Sequence, residues 1–130
     1  MEARERFSLR KRIRSFGYAL AGLRRFFLTE HNVWIHGVAA AVAILLSVLL
    51  KISPLKWVGV LFAIGLVLCA EAFNTCIEKI MDRLVPGQDE TVKYVKDLAA
   101  GGVLIAAMVA AVIGCIIFLP GIIQWVSFNI

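Results

Sequence analysis

Four polar side chains stand where a long apolar run gives out: Glu71, Asn74, Glu78 and Asp82, within AEAFNTCIEKIMD, directly after WVGVLFAIGLVLC. Steps of three, four and four residues put all four on one face of an α-helix. An ionised carboxylate held in hydrocarbon costs at least about 2.5 kcal/mol on insertion scales, so Glu71 calls for a compensating role. The face descends from the acyl boundary of a bilayer into water. That geometry suits a reaction between a molecule dissolved in the membrane and one dissolved in the cytosol.

The elements that must carry this face follow from composition. The chain has 130 residues, of which 61% are hydrophobic, and its mean hydropathy is +0.86. These values predict an all-α integral membrane protein, a single domain over 1–130. Three apolar stretches, about 33–50, 55–76 and 98–119, are long enough to span a bilayer. Ser53-Pro54 supplies a cap and a first-turn proline, and Pro86-Gly87 a stop, so the second long helix is expected over 54–84. Such a helix is about 46 Å long against a hydrocarbon core of about 30 Å. With Trp57 at the outer boundary, Glu71 falls about 7 Å inside hydrocarbon and Glu78 about 3 Å outside it. Asp89 is the expected N-cap of the next helix, with Glu90 in its first turn. Lys96 and Asp97 then reach the same inner interface. Gly102, Ala106, Ala110 and Gly114 form a stripe of small residues that allows close helix packing.

Charge sets the expected orientation. Of 14 Lys and Arg, eight lie in residues 1–32, two in 51–56, four in 77–97, and none follows Leu119. The positive-inside rule places the N-terminus and the 77–97 loop in the cytoplasm and the C-terminus outside. Trp34 lies at the inner boundary, and Trp57 and Trp125 lie at outer ones. Leu9, Ile13, Phe16, Leu20, Leu23 and Phe27 recur at helical spacing, with Arg10, Arg14, Arg24 and Arg25 off that stripe. This predicts an amphipathic helix over about 8–28, lying in the membrane interface. Three spans behind it argue against nucleic acid as the partner of the basic arm. No cleavable signal is expected. Cys69, Cys76 and Cys115 show no CxxC or Cys/His pairing and read as inert apolar residues.

EAFNTCIEKIMD resembles the signature of the prokaryotic diacylglycerol kinase family: Glu, two residues, Asn, Ser or Thr, two residues, Glu, three residues, Asp. FGYALAGLR at 16–24, TEHNVWIH at 29–36 and KDLAAGGVL at 96–104 resemble further blocks in the family's order. The TExNxxIH pattern and the ending IIFLP are more similar to the undecaprenol kinase branch than to the enteric type. Phe73, Cys76 and Met81 depart mildly from the pattern, and Lys11 stands near where the enteric type has an Arg. The resemblance implies ATP-dependent phosphorylation of a membrane lipid alcohol, undecaprenol or diacylglycerol, by a homotrimer with sites shared between protomers. It implies Glu71 as catalytic base and Asn74 as support for the carboxylates Glu30 and Glu78. Glu30 and Glu78 are implied to hold Mg²⁺ with the ATP phosphates, and Lys11, Tyr18, Lys96 and Asp97 to lie at the nucleotide. The 87–89 loop corresponds in position to a nucleotide-contacting stretch, although its residues differ.

The residues themselves fit that chemistry. A carboxylate held out of water is a stronger base than one in it, as proton abstraction from a lipid hydroxyl requires. Carboxylates in water suit Mg²⁺, which takes one or two of them together with substrate phosphates. Phosphoryl transfer needs mainly positioning and charge neutralisation. Neither GxxxxGK[ST] nor GxGxxG occurs, so nucleotide binding rests on no glycine loop. Two other classes compete: a small proton-coupled transporter using Glu71, and a non-enzymatic subunit held by the small-residue stripe. Asn74 would then serve only an interhelical hydrogen bond, Asp82 a solvated helix flank, His31 and His36 packing or headgroup contacts, and Lys93 topology.

Overall fold

The computed structural model describes residues 8–87 and 89–129, and its elements are α1 (Leu9–Thr29), α2 (His31–Leu49), α3 (Pro54–Leu84) and α4 (Glu90–Asn129). The chain divides into two compact units, one ending at Glu30 and one beginning at His31.

The first unit is α1. Ser8 adopts an extended conformation and its hydroxyl accepts the Lys11 N–H at 3.4 Å, capping the helix. At the other end Glu30 leaves the helix at φ −99° and ψ 119°, while its N–H still bonds the Phe26 carbonyl at 3.2 Å. No residue of α1 is buried. Each member of the expected apolar stripe, from Leu9 to Phe27, is 44% to 72% exposed.

In the second unit α2 ends in a Schellman turn: the Ile52 N–H bonds the Ser47 carbonyl and the Lys51 N–H bonds the Val48 carbonyl, both at 3.2 Å. The left-handed position of that turn is held by Lys51 at φ +49°, where glycine is usual. Helix α3 has the expected bounds. Ser53 sits extended in the cap position without a side-chain cap bond, Pro54 opens the first turn, and the chain reverses beyond Val85 with Gly87 at φ +135°. Asp89 Oδ1 accepts the Val92 N–H at 3.0 Å, the N-cap expected for α4. Helix α4 runs past the expected span end at Leu119, through Pro120, to Asn129. Pro120 cannot bond the Ile116 carbonyl and its ring crowds that turn, but in hydrocarbon the other backbone groups still gain by staying helical.

The α3–α4 interface is the most extensive, with α2 packed mainly on α3. Val60, Ile117 and Phe118 form the buried core, flanked by Leu50, Ile64 and Ile113. Gly59 permits this approach, since a Cβ there would lie 3.1 Å from Ile117 Cδ1. Little else is covered. Of the most apolar window in α2, α3 and α4, 11%, 33% and 17% is buried. An apolar surface on this scale is stable only against lipid or protein. All three helices are long and apolar enough to cross a membrane. Within the small-residue stripe, Ala106 is buried, Ala110 and Gly114 are half-buried, and a Cβ on Gly102 would meet nothing within 4 Å.

Candidate active site

The polar face of α3 is graded in burial. Glu71 is 2% exposed and Asn74 4%, Glu78 is half-buried, and Asp82 is exposed. One uninterrupted helix therefore carries these side chains from a closed environment to an open one, one turn apart. Asn74 Nδ2 donates to Glu78 Oε1 at 3.3 Å, which orients both side chains. Its other end is unsatisfied: Asn74 Oδ1 is buried without a hydrogen-bond partner. A native orphan of this kind marks a position that a ligand, ion or water completes.

Helix α4 adds the cation. Lys96 Nζ donates to Asp82 Oδ1 at 2.8 Å. That hydrogen bond, reinforced by the charges of Asp82, Glu78 and Asp97, holds the Lys96 ammonium above the usual lysine pKa despite some desolvation. Lys96 is thus a fixed positive charge beside the open end of the α3 face. It also lines, with Asp82, Gly87, Asp89, Lys93 and Asp97, a polar cleft of about 770 Å³ at the α3–α4 turn. The cleft includes described residues of the 87–89 loop, which joins that loop to Lys96 and Asp97 in one wall.

The closed end of the face has a neighbour that residue spacing did not single out. His36 of α2 lies with Nε2 4.0 Å from Glu71 Oε2, its side chain 21% exposed and that of Glu71 3%. His36 also stands at an apolar groove of about 250 Å³ between α2, α3 and α4, whose walls are mostly small or aliphatic, among them Ala39, Ala43, Ala63 and Gly114. The one signal in the sequence was position: His36 lies two residues beyond Trp34, the expected inner boundary, near the level expected for Glu71. Asp82, on an exposed flank of α3 as expected, is also the hydrogen-bond partner of Lys96.

The structure therefore brings Glu71, Asn74 and Glu78 together on α3, and joins α3 to Lys96 through Asp82. Lys11, Tyr18 and Glu30 belong to the first unit. There the Lys11 carbonyl accepts the Ser15 hydroxyl at 3.0 Å, Tyr18 is 69% exposed, and the Glu30 carboxylate accepts the Thr29 hydroxyl at 2.8 Å. Among the described residues no three His, Cys, Asp or Glu side chains converge as a metal cage. The donors on α3 are nonetheless hard oxygens: one free oxygen of the Glu78 carboxylate and the orphaned Asn74 amide oxygen. They fit Mg²⁺, which takes one or two carboxylates and completes its shell from phosphate and water.

The described residues are all-helical, with three helices long and apolar enough to cross a membrane and carboxylates graded in burial on one of them; these are the features of a membrane protein. The chain belongs to the prokaryotic diacylglycerol kinase family, which it matches over residues 17–118. It is 32% identical to the undecaprenol kinase of Bacillus subtilis (strain 168), across 88% of this chain and 94% of that one. It is 36% identical to a diacylglycerol kinase of Synechocystis, across 82% of this chain and 61% of that one. Identity to the diacylglycerol kinase of Escherichia coli (strain K12) is 30%, across 81% and 86%. The resemblance read from the motifs holds, and the transporter reading falls.

Proposed function

We propose that this protein is an integral-membrane lipid kinase that moves the γ-phosphate of ATP to the hydroxyl of a membrane lipid alcohol, with undecaprenol accepted at least as well as diacylglycerol. The observation that carries the reading is the graded face of α3, with Glu71 2% exposed at one end and Asp82, tied to Lys96, open at the other. In the reaction Glu71 takes the hydroxyl proton, the lipid oxygen bonds to the γ-phosphorus, the bond to the bridging oxygen breaks, and ADP leaves. Asn74 holds the carboxylate of Glu78 in place. Glu78 and Glu30 would hold Mg²⁺, which when bound neutralises phosphate charge. Lys96 stabilises negative charge as it builds on the transferred group, and Asp97, Lys11 and Tyr18 contact the nucleotide.

The same reading places the protein in the bacterial cytoplasmic membrane, with α1 along the inner interface and the α3–α4 turn in the cytosol, in keeping with the distribution of Lys and Arg. It is a homotrimer with shared sites. The exposed apolar faces and the unfilled space at Gly102 support association, and three thin spans enclose little of a substrate by themselves. The resemblance of TEHNVWIH to the undecaprenol kinase branch supports the prenol as acceptor. Labelled ATP supplied to the purified protein with undecaprenol, diacylglycerol and ceramide in parallel tests the assignment. Labelled undecaprenyl phosphate is the expected product. Activity confined to diacylglycerol would refute the acceptor, and no labelled lipid from any of the three would refute the kinase.

A further inference from the structure

Glu71 is nearly sealed, yet a general base needs a defined oxygen aimed at the hydroxyl it serves. A carboxylate in a closed apolar setting is poorly fixed unless something binds its second oxygen. On its own helix the next polar residue, Asn74, gives its amide N–H to Glu78 instead. Across the helix boundary, His36 Nε2 faces Glu71 Oε2 at 4.0 Å. That separation is beyond a hydrogen bond but within ion-pair reach. Catalytic hydrogen bonds are often long in an empty site and close when substrate arrives.

The groove gives the pair its setting. His36 is the one polar side chain among the residues that line it. An acyl or prenyl chain lying against Ala39, Ala43 and Ala63 would therefore bring its polar head to His36 and Glu71.

We propose that His36 is a positioning residue for Glu71: its Nε2–H donates to Oε2 and leaves Oε1 directed at the lipid hydroxyl. The inference rests on the reading of Glu71 as the base. It assigns His36 the Nε2–H tautomer whenever the base is ready to act. His36 touches neither ATP nor the metal ligands in this scheme, so its loss acts on turnover and not on nucleotide affinity.

The test is a set of kcat and KM measurements on the full chain in lipid bilayers, with ATP and undecaprenol varied separately. Displacing a reacting group by about 1 Å can cost on the order of 100-fold. His36→Leu should accordingly lower kcat by about 10- to 100-fold with the KM for ATP unchanged. His36→Gln can place an N–H near the original Nε2 and should stay within about threefold of the parent, whereas the shorter His36→Asn should resemble the leucine variant. Combined with Glu71→Gln, His36→Leu should add almost nothing, because a positioning residue has no effect once its base is gone. Full turnover in His36→Leu, equal losses in the Gln and Asn variants, or additive losses in the double variant would each overturn the role. Should the leucine variant fail to fold, the Gln and Asn pair decides. Full activity in Glu71→Gln would instead overturn the base itself, and the role of His36 with it.

Discussion

Lys96 Nζ sits 2.8 Å from Asp82 Oδ1, so the most exposed member of the α3 polar face holds a lysine of α4 across the turn. The side chains are 34% and 64% exposed, and solvent screens a pair so open that it adds little to stability. Its effect is orientation. Asp82→Asn should leave thermal unfolding nearly unchanged and raise the KM for ATP a few-fold. Lys96→Met removes a charge-assisted contact to phosphate and should raise it by about 10- to 100-fold. Steady-state kinetics beside an unfolding scan separates the two. Asp82→Asn that unfolds the protein, or Lys96→Met with normal ATP affinity, would contradict this division.

Glu78 should answer to metal. It is half-buried on α3 and takes one hydrogen bond from Asn74, leaving an oxygen for a hard cation. Glu78→Gln should weaken the apparent affinity for Mg·ATP, and raised Mg²⁺ should restore part of the rate. A Mg²⁺ titration of turnover checks this. A loss of rate indifferent to Mg²⁺ would take Glu78 out of the metal site.

The proposed sites are shared between copies of the chain. Glu71→Gln and Lys96→Met protein, each with little turnover of its own at low ATP, should recover activity when unfolded, mixed and reassembled together. Silence from a mixture shown by cross-linking to contain mixed oligomers would mean that each site is built from one chain.

The turn after α2 carries a local strain. Lys51 holds φ +49°, a conformation costing a non-glycine residue roughly 1–2 kcal/mol, while glycine loses more entropy on folding. Lys51→Gly should therefore stabilise by up to about 1 kcal/mol, read as a raised unfolding midpoint in micelles with kinase activity unaltered. A lowered midpoint would show that the lysine side chain supplies more than its backbone costs.

How much of this was legible in the residues follows from how local each feature is. The limits of α3 were readable because Ser53-Pro54 and Pro86-Gly87 act on adjacent backbone alone. The shared face of Glu71, Asn74, Glu78 and Asp82 was readable because helical spacing fixes it. The continuation of α4 through Pro120 was not, since a proline signals a break while the surrounding hydrocarbon decides whether one forms. Lys51 in a left-handed turn carries no sequence mark, glycine being the usual one. The pairing of Lys96 with Asp82 spans 14 residues across a turn, and that of His36 with Glu71 joins two helices. Spacing along one helix says nothing about the rotation of the next. Lys11, Tyr18 and Glu30 remain assigned by resemblance to the family pattern.

The measurement closest to the central claim compares Glu71→Gln with the parent for both phosphoryl transfer to undecaprenol and equilibrium binding of Mg·ATP. General-base catalysis contributes about 10²–10⁴-fold. Turnover should fall by that order, nucleotide binding should stay within about twofold, and added Mg²⁺ should restore nothing. Transfer at the parental rate, or a loss of nucleotide affinity as large as the loss of rate, would contradict the assignment of Glu71 as the base at the lipid end of the α3 face.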